Sequence, residues 1–192
     1  MRFWASFVLL AVIACNTKSD YVNQVEHEQK RRQAVFVKPG ESPLDTAEIA
    51  QFKGLRFFAI DESFKVPAKI TWMPQIMYLN LPRTGGDTSD FMQTAVLDFT
   101  LSGRSFQLPV YQDDEMKRSR ILFVPFTDLT TGKETYHVGR YIDLPYNDHR
   151  NDVIIDFNFA YIPYCAHSAR YSCPVVPKEN HLDIAVTAGE RL

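Results

Sequence analysis

The chain lacks any dominant charge of one sign: 21 lysines and arginines stand against 23 acids over 192 residues, a formal net charge of −2. No basic field of the kind that gathers nucleic acid is encoded. A long apolar run is also missing, because the stretch from Phe3 to Ile13 is too short to cross a bilayer as a helix. Only three cysteines occur, none in a CxxC pair, which argues against a thioredoxin-like motif and against a closed zinc site. His137, His149, His167 and His181 show neither HxH nor HExxH spacing, so no metal centre is predicted. GxSxG is absent, and with it the esterase nucleophile elbow. No internal repeat is evident. Arg83 to Asp90 contains Gly85-Gly86 but no lysine and no following helix pattern, so it reads as a mobile loop rather than a phosphate cradle.

What is present begins with an address. Arg2 precedes the apolar run and Val12-Ile13-Ala14-Cys15 closes it, the pattern of a cleaved export signal over residues 1–14. Val12-Ile13-Ala14-Cys15 resembles the lipobox of bacterial lipoproteins. That resemblance implies that Cys15 is diacylated, becomes the mature N-terminus and holds the protein on a membrane. Asn16 follows Cys15 where the enterobacterial inner-membrane retention signal has Asp, which points to an outer-membrane anchor facing the periplasm. Residues 15–20 form a polar tether. Cys165 and Cys173 then remain as an even pair in an oxidising compartment, and a disulfide is the economical reading. Closing so short a loop would stabilise by roughly 2–3 kcal/mol. A metal site and free thiols are the competing readings.

With 45% hydrophobic and 13% aromatic residues, residues 21–192 can bury one core and read as a single domain. Tyr21 to Phe36 carries the pattern of one amphipathic helix. Its Lys30-Arg31-Arg32 run suits a solvated face, or contact with anionic headgroups near the anchor. Pro39-Gly40 stops that helix, and Asp45 opens a second short helical segment through Ile49. From Phe52 onward, β-branched and aromatic runs alternate with Pro, Gly, Asn and Asp. This predicts a mainly β fold, a single antiparallel β-barrel-like or sandwich domain with an N-terminal helix. Candidate strands are 55–60, 68–72, 75–81, 94–101, 105–111, 121–125, 140–144, 153–157 and 182–186. The clearest hairpin sets Leu97, Phe99 and Leu101 on one face and, past Ser102-Gly103-Arg104, matches them with Phe106, Leu108 and Val110.

Three ordered motifs, Pro125-Phe126-Thr127-Asp128, Thr131-Gly132-Lys133-Glu134-Thr135-Tyr136 and Gly139-Arg140-Tyr141-Ile142-Asp143, resemble the bacterial and archaeal family called domain of unknown function 1684. The resemblance continues through Asp156-Phe157-Asn158-Phe159-Ala160-Tyr161, Cys165-Ala166, Tyr171-Ser172-Cys173-Pro174, Pro177-Lys178-Glu179-Asn180 and Ala188-Gly189-Glu190. It extends upstream through Ser42-Pro43-Leu44 and Phe52-Lys53-Gly54-Leu55, covers most of the mature chain and implies no established activity. Two departures stand out. A glycine-rich stretch expected after the tyrosine reads His137-Val138 here, and Ile162-Pro163-Tyr164 replaces an expected Asn-Pro before Cys165.

These segments put Asp128, Thr135, Tyr136, Arg140, Asp143, Asp156, Asn158, Tyr161, Glu179 and Asn180 beside aromatic strands. In a structural reading, Asp128 closes a turn, Arg140 pairs with Asp156 or Glu179, and Asn158 satisfies loop backbone groups. In a binding reading the same groups converge on a pocket. Arg140 then orients an anionic group, Tyr136 and Tyr161 supply walls and hydroxyls, and the Cys165 to Cys173 loop forms the rim. The candidate ligand contacts are Asp128, Thr135, Tyr136, Arg140, Asp156, Asn158, Tyr161, Glu179 and Asn180, acting on a small or polymeric envelope ligand. No cofactor is specified. The alternatives are an envelope hydrolase using Asp128, Asp156 or Glu179 as acid and base, and a structural partner of an envelope complex.

Overall fold

The computed structural model describes residues 19–192. The expected export leader, Cys15 and residues 16–18 of the expected tether lie outside the described residues, and residues 19–20 of that tether instead cap and begin the first helix. Helix α1 (Asp20–Val37) starts where Ser19 Oγ accepts the Val22 N–H at 3.2 Å, an N-cap that satisfies one of the orphan donors of the first turn. The helix fully buries Val25 and Phe36, and Phe36 stacks on Phe52 at 5.2 Å between ring centroids. Helix α2 (Thr46–Gln51) is opened by a reciprocal capping box between Asp45 and Glu48. Both helices fall where the sequence places them. Among the described residues, no helix is long and apolar enough to cross a membrane.

The remainder is mainly β. Strand β1 (Arg56–Phe57) pairs at the C-terminus, while β2 (Lys65–Pro82), β3 (Thr88–Leu101), β4 (Arg104–Gln112) and β5 (Ile121–Asp128) form a meander, interrupted by the short α3 (Asp114–Ser119). Then come β6 (Arg140–Pro145), β7 (Asp152–Asp156), β8 (His181–Leu182) and β9 (Glu190–Arg191). The main sheet runs β6-β5-β4-β3-β2-β7 with antiparallel neighbours, β8 lies parallel to β5, and β9 pairs with β1. The sheet curls into a nearly closed barrel whose two end strands are β6 and β7. The predicted β3–β4 hairpin is present in the expected register, with Leu97 opposite Leu108 and Phe99 opposite Phe106. Ser102 and Gly103 carry φ of 52° and 74°, the paired positive angles that a two-residue turn needs to match strand twist.

Several strand expectations are corrected. The predicted strands 68–72 and 75–81 are one element, because β2 runs on through a bulge in which residues 73–76 face the single residue Thr94. Strand β3 also carries an extra residue at Thr94 against β4. That insertion shifts the alternation of faces by one. Ala95, Leu97, Phe99 and Leu101 therefore join the barrel core with Leu108, Val110, Leu122, Val124, Phe126, Ile142 and Leu144. Phe91, before the bulge, joins a second cluster with Leu81, Tyr111, Phe123, Tyr141, Cys173 and Val176 on the outer face. The C-terminal segment covers that outer face. The strands expected over 55–60 and 182–186 shrink to two residues each.

The mobile loop expected over Arg83 to Asp90 is instead a tight turn tied to the C-terminal segment. Thr84 N–H donates to the Cys173 carbonyl at 2.9 Å and Cys173 N–H returns to Thr84 Oγ1 at 3.1 Å. Gly85 N–H donates to Ser172 Oγ at 2.9 Å; a Cβ on Gly85 would meet that oxygen at 2.8 Å, so the approach requires glycine. The disulfide expected between Cys165 and Cys173 is not found, and that expectation is corrected. Cys165 and Cys173 are free thiols, with the Cys165 N–H donating to Cys173 Sγ at 3.3 Å.

Candidate functional site

The sheet path ends at β6 on one side and β7 on the other, and α1 spans the seam between them. Two polar clasps hold the helix there. At its start, Tyr21 O–H reaches the Asp156 carboxylate at 3.0 and 3.2 Å, and Asn158 Nδ2 donates to the Tyr21 oxygen at 2.8 Å. Near its end, Arg32 pairs with Glu190 at 2.8 Å and donates to the Ile162 carbonyl at 2.7 Å. Under the helix opens a cleft of about 1130 Å³, lined by α1, β6, β7 and the 157–164 turn. Its volume is slightly above the usual range of small-molecule sites, roughly 300–1,000 Å³.

The cleft wall is aromatic. Phe91 stacks on Phe123 at 5.4 Å, Phe123 meets Tyr141 edge-on at 4.8 Å, and Tyr141 meets Tyr161 edge-on at 5.8 Å. Within this row stands Asp143, directly opposite Phe123 in the β5–β6 ladder and two residues beyond Tyr141 on the same face. Asp143 presents its carboxylate to the cleft and accepts one hydrogen bond, from Tyr161 O–H at 3.0 Å. Asp143 is exposed at the cleft, and partial desolvation by the surrounding protein raises its pKa above the ordinary value, opposed by the Tyr161 hydrogen bond and Arg32. Tyr161 is raised well above its own ordinary value by burial and by the adjacent Asp143.

Of the nine predicted ligand contacts, Asp156, Asn158 and Tyr161 line the cleft. Asp156 also caps the 157–159 turn through the Asn158 N–H, and Asn158 holds Asp61 through both its N–H and C=O. Arg140 does not line the cleft. Its side chain and that of Asp128 are each 1% exposed and form an ion pair at 2.7 Å. The two terminal nitrogens of Arg140 also donate to the carbonyls of Ala188 and Glu190, and to that of Val186 at 2.7 Å, while its buried Nε has no partner among the described residues. The structural reading of Arg140 therefore holds with a different partner from the expected Asp156 or Glu179. The arginine pins the C-terminal segment to the barrel and cannot orient an anion in the cleft. Neighbouring Gly139, at φ +107°, is required because a Cβ there would sit 2.6 Å from the Phe126 carbonyl oxygen.

The other candidates are framework as well. Asp128 accepts the Thr130 N–H at 2.5 Å, and Thr135 Oγ1 meets Thr130 Oγ1 at 3.0 Å. Asn180 is buried, donates to the Pro109 and Pro125 carbonyls at 2.8 and 2.7 Å, and accepts from Tyr111 O–H at 3.2 Å. Glu179 is exposed. Tyr136 sits against the two cysteines, its hydroxyl pushed up to about 12 chiefly by burial. Burial likewise lifts the Cys173 thiol to about 12. Of the three acids considered for hydrolysis, Asp156 alone lines the cleft.

Asp143, grouped with the polar residues of the binding reading but absent from the nine candidate contacts, lines the cleft, as do Arg83 and the α1 side chains His27, Arg31 and Arg32, which were not foreseen there. The basic run was visible, but nothing in its periodicity places it over Tyr161, 129 positions away. A second hollow of about 300 Å³ opens at the β2 bulge, between Trp72, Ile76, Thr94 and Tyr146. The buried Thr94 hydroxyl there has no hydrogen-bond partner among the described residues. Among the described residues, no group of three or more His, Cys, Asp or Glu side chains converges as a metal site.

The fold and cleft define a class: a nearly closed antiparallel β-barrel with an N-terminal helix across its seam and an aromatic, carboxylate-bearing cleft beneath. Residues 50–191 match the family model described as "Protein of unknown function (DUF1684)", and the chain belongs to that family. It is similar to an uncharacterized protein of Haloarcula marismortui solved by solution NMR, with a TM-score of 0.69 and 35% sequence identity over 90% of this chain and 95% of that one. No curated protein matches.

Proposed function

We propose that this is a lipid-anchored cell-envelope protein that binds a small or polymeric envelope ligand in the cleft under α1. The cleft itself carries the reading. It combines about 1130 Å³ of open space with an aromatic wall and a few converging polar groups, the usual anatomy of a recognition site. The address rests on the leader and on Cys15. From Cys15 to the start of α1 at Asp20 is five residues, a reach of at most about 18 Å. Acylation would thus hold the helix, and the cleft beneath it, close to the membrane surface, within reach of envelope components.

In-cell photo-crosslinking of the full-length chain tests this. Ile154 is exposed and lines the cleft, whereas Leu129 is exposed outside it. A photoreactive amino acid at position 154 should trap an envelope component that the same group at 129 does not. Equal labelling at both positions, or none at 154, refutes the reading. Metabolic labelling with palmitate, lost in Cys15→Ser, tests the anchor.

A further inference from the structure

The charges around the cleft are unevenly matched. Its three arginines are each engaged by protein carboxylates: Arg31 with Glu28 at 2.6 Å, Arg32 with Glu190 at 2.8 Å, and Arg83 with Asp87 at 2.7 Å. Arg32 also gives its second nitrogen to the Ile162 carbonyl, and Arg83 gives one to the Ser172 carbonyl. Lys65 holds its ammonium 4.3 Å from the Tyr21 ring centroid. Among the acids, Glu28 has Arg31, and Asp156 accepts from Tyr21, the Asn158 N–H and Asn158 Nδ2. Asp143 differs. Among the described residues it enters no ion pair, and its one hydrogen-bond donor is the neutral Tyr161 hydroxyl on Oδ2. Asp143 is exposed and lines the cleft together with the largely buried Phe123 and Tyr141 and the partly buried Tyr161.

A carboxylate beside aromatic rings that forms no ion pair, its nearby Arg32 being committed to Glu190 and lying 4.6 Å from the Tyr161 ring centroid, is the complement of a protonated amine. The charge pairs with the carboxylate and the rings receive the cation and its methylenes. An anionic ligand would meet arginines already occupied and an acid that repels it.

We propose that the cleft recognises an alkylammonium group, with Asp143 as its charge partner, Tyr161 positioning that carboxylate, and Phe123 and Tyr141 forming the wall around the carbon chain. This rests on the cleft being the binding site, as set out above. It reverses the sign of ligand that Arg140 suggested.

Three probes of one shape separate the possibilities: 2-phenylethylammonium, 2-phenylethanol and 3-phenylpropionate, titrated by NMR into the full-length protein in detergent micelles. The ammonium should shift resonances of Asp143, Tyr141 and Tyr161, and should bind about tenfold or more tightly than the alcohol. Asp143→Asn should abolish that preference while leaving alcohol binding in place. Tyr161→Phe should reduce the preference without removing it. Equal binding of ammonium and alcohol, or tightest binding of the propionate, overturns the amine assignment and leaves the cleft as a binding site. Failure of all three at millimolar concentration to shift any cleft resonance overturns both.

Discussion

Removing the Arg140 guanidinium is the sharpest test of how this fold is held together. Arg140 and Asp128 are each 1% exposed at the side chain and 2.7 Å apart. Arg140→Met keeps most of the volume but leaves the Asp128 carboxylate buried without a cation, a change that costs about 3–5 kcal/mol. It also leaves the Val186 and Ala188 carbonyls without their arginine donor, so the loss belongs at the upper end of that range. For a chain of this size, about 2–4 °C of melting temperature corresponds to 1 kcal/mol, which gives a drop of roughly 10–20 °C by circular dichroism. A double variant, Arg140→Met with Asp128→Leu, removes both charges and should recover a substantial part of the loss. The reasoning is refuted if Arg140→Met melts within about 2 °C of the parent, or if the double variant is less stable than Arg140→Met alone.

Other expectations follow from single groups. Because Asp143 is raised in the folded state, the native protein holds an extra proton as pH climbs from near its ordinary value of 3.8 through the folded value. Stability therefore falls across that window. Asp143→Asn should be as stable as the parent near pH 3 and gain relative to it by pH 7; an unchanged difference at the two pH values would contradict this. Thr94→Val deletes a buried hydroxyl that has no partner, so urea unfolding should show it neutral or stabilised by up to about 1 kcal/mol. A loss of more than that would mean the hydroxyl is bonded in solution. Cys173 is buried and its thiol lies near 12, so the native protein should resist iodoacetamide at this position at pH 8 and react once unfolded. Rapid native labelling would show that the C-terminal segment opens.

Much of the architecture was legible before any coordinates. The spacing of apolar residues over 21–36 and the turn at Asp45 mark the two helices, and the alternation around Ser102-Gly103 sets a hairpin register by itself, because these signals are local. Misreadings arose where a neighbour distant in sequence decides the outcome. Gly85-Gly86 suggested freedom, yet the Ser172 and Cys173 segment packs on that turn and removes it. Residues 73–76 broke the alternation and divided one strand into two expected ones, because a bulge is defined by the partner strand it faces.

The site divides along the same line. Sequence alone determined the N-terminal helix, the antiparallel β class and the inventory of polar and aromatic groups near the C-terminal motifs. These depend on residue type and on spacing over a few positions. Only tertiary structure decided that Arg140 is sealed against Asp128 while Asp143, three residues along the same strand, faces an open cleft. Strand alternation puts those two on opposite faces of one sheet. Which face is core and which is cleft depends on where β6 ends the barrel and how α1, more than a hundred residues earlier, lies across the opening.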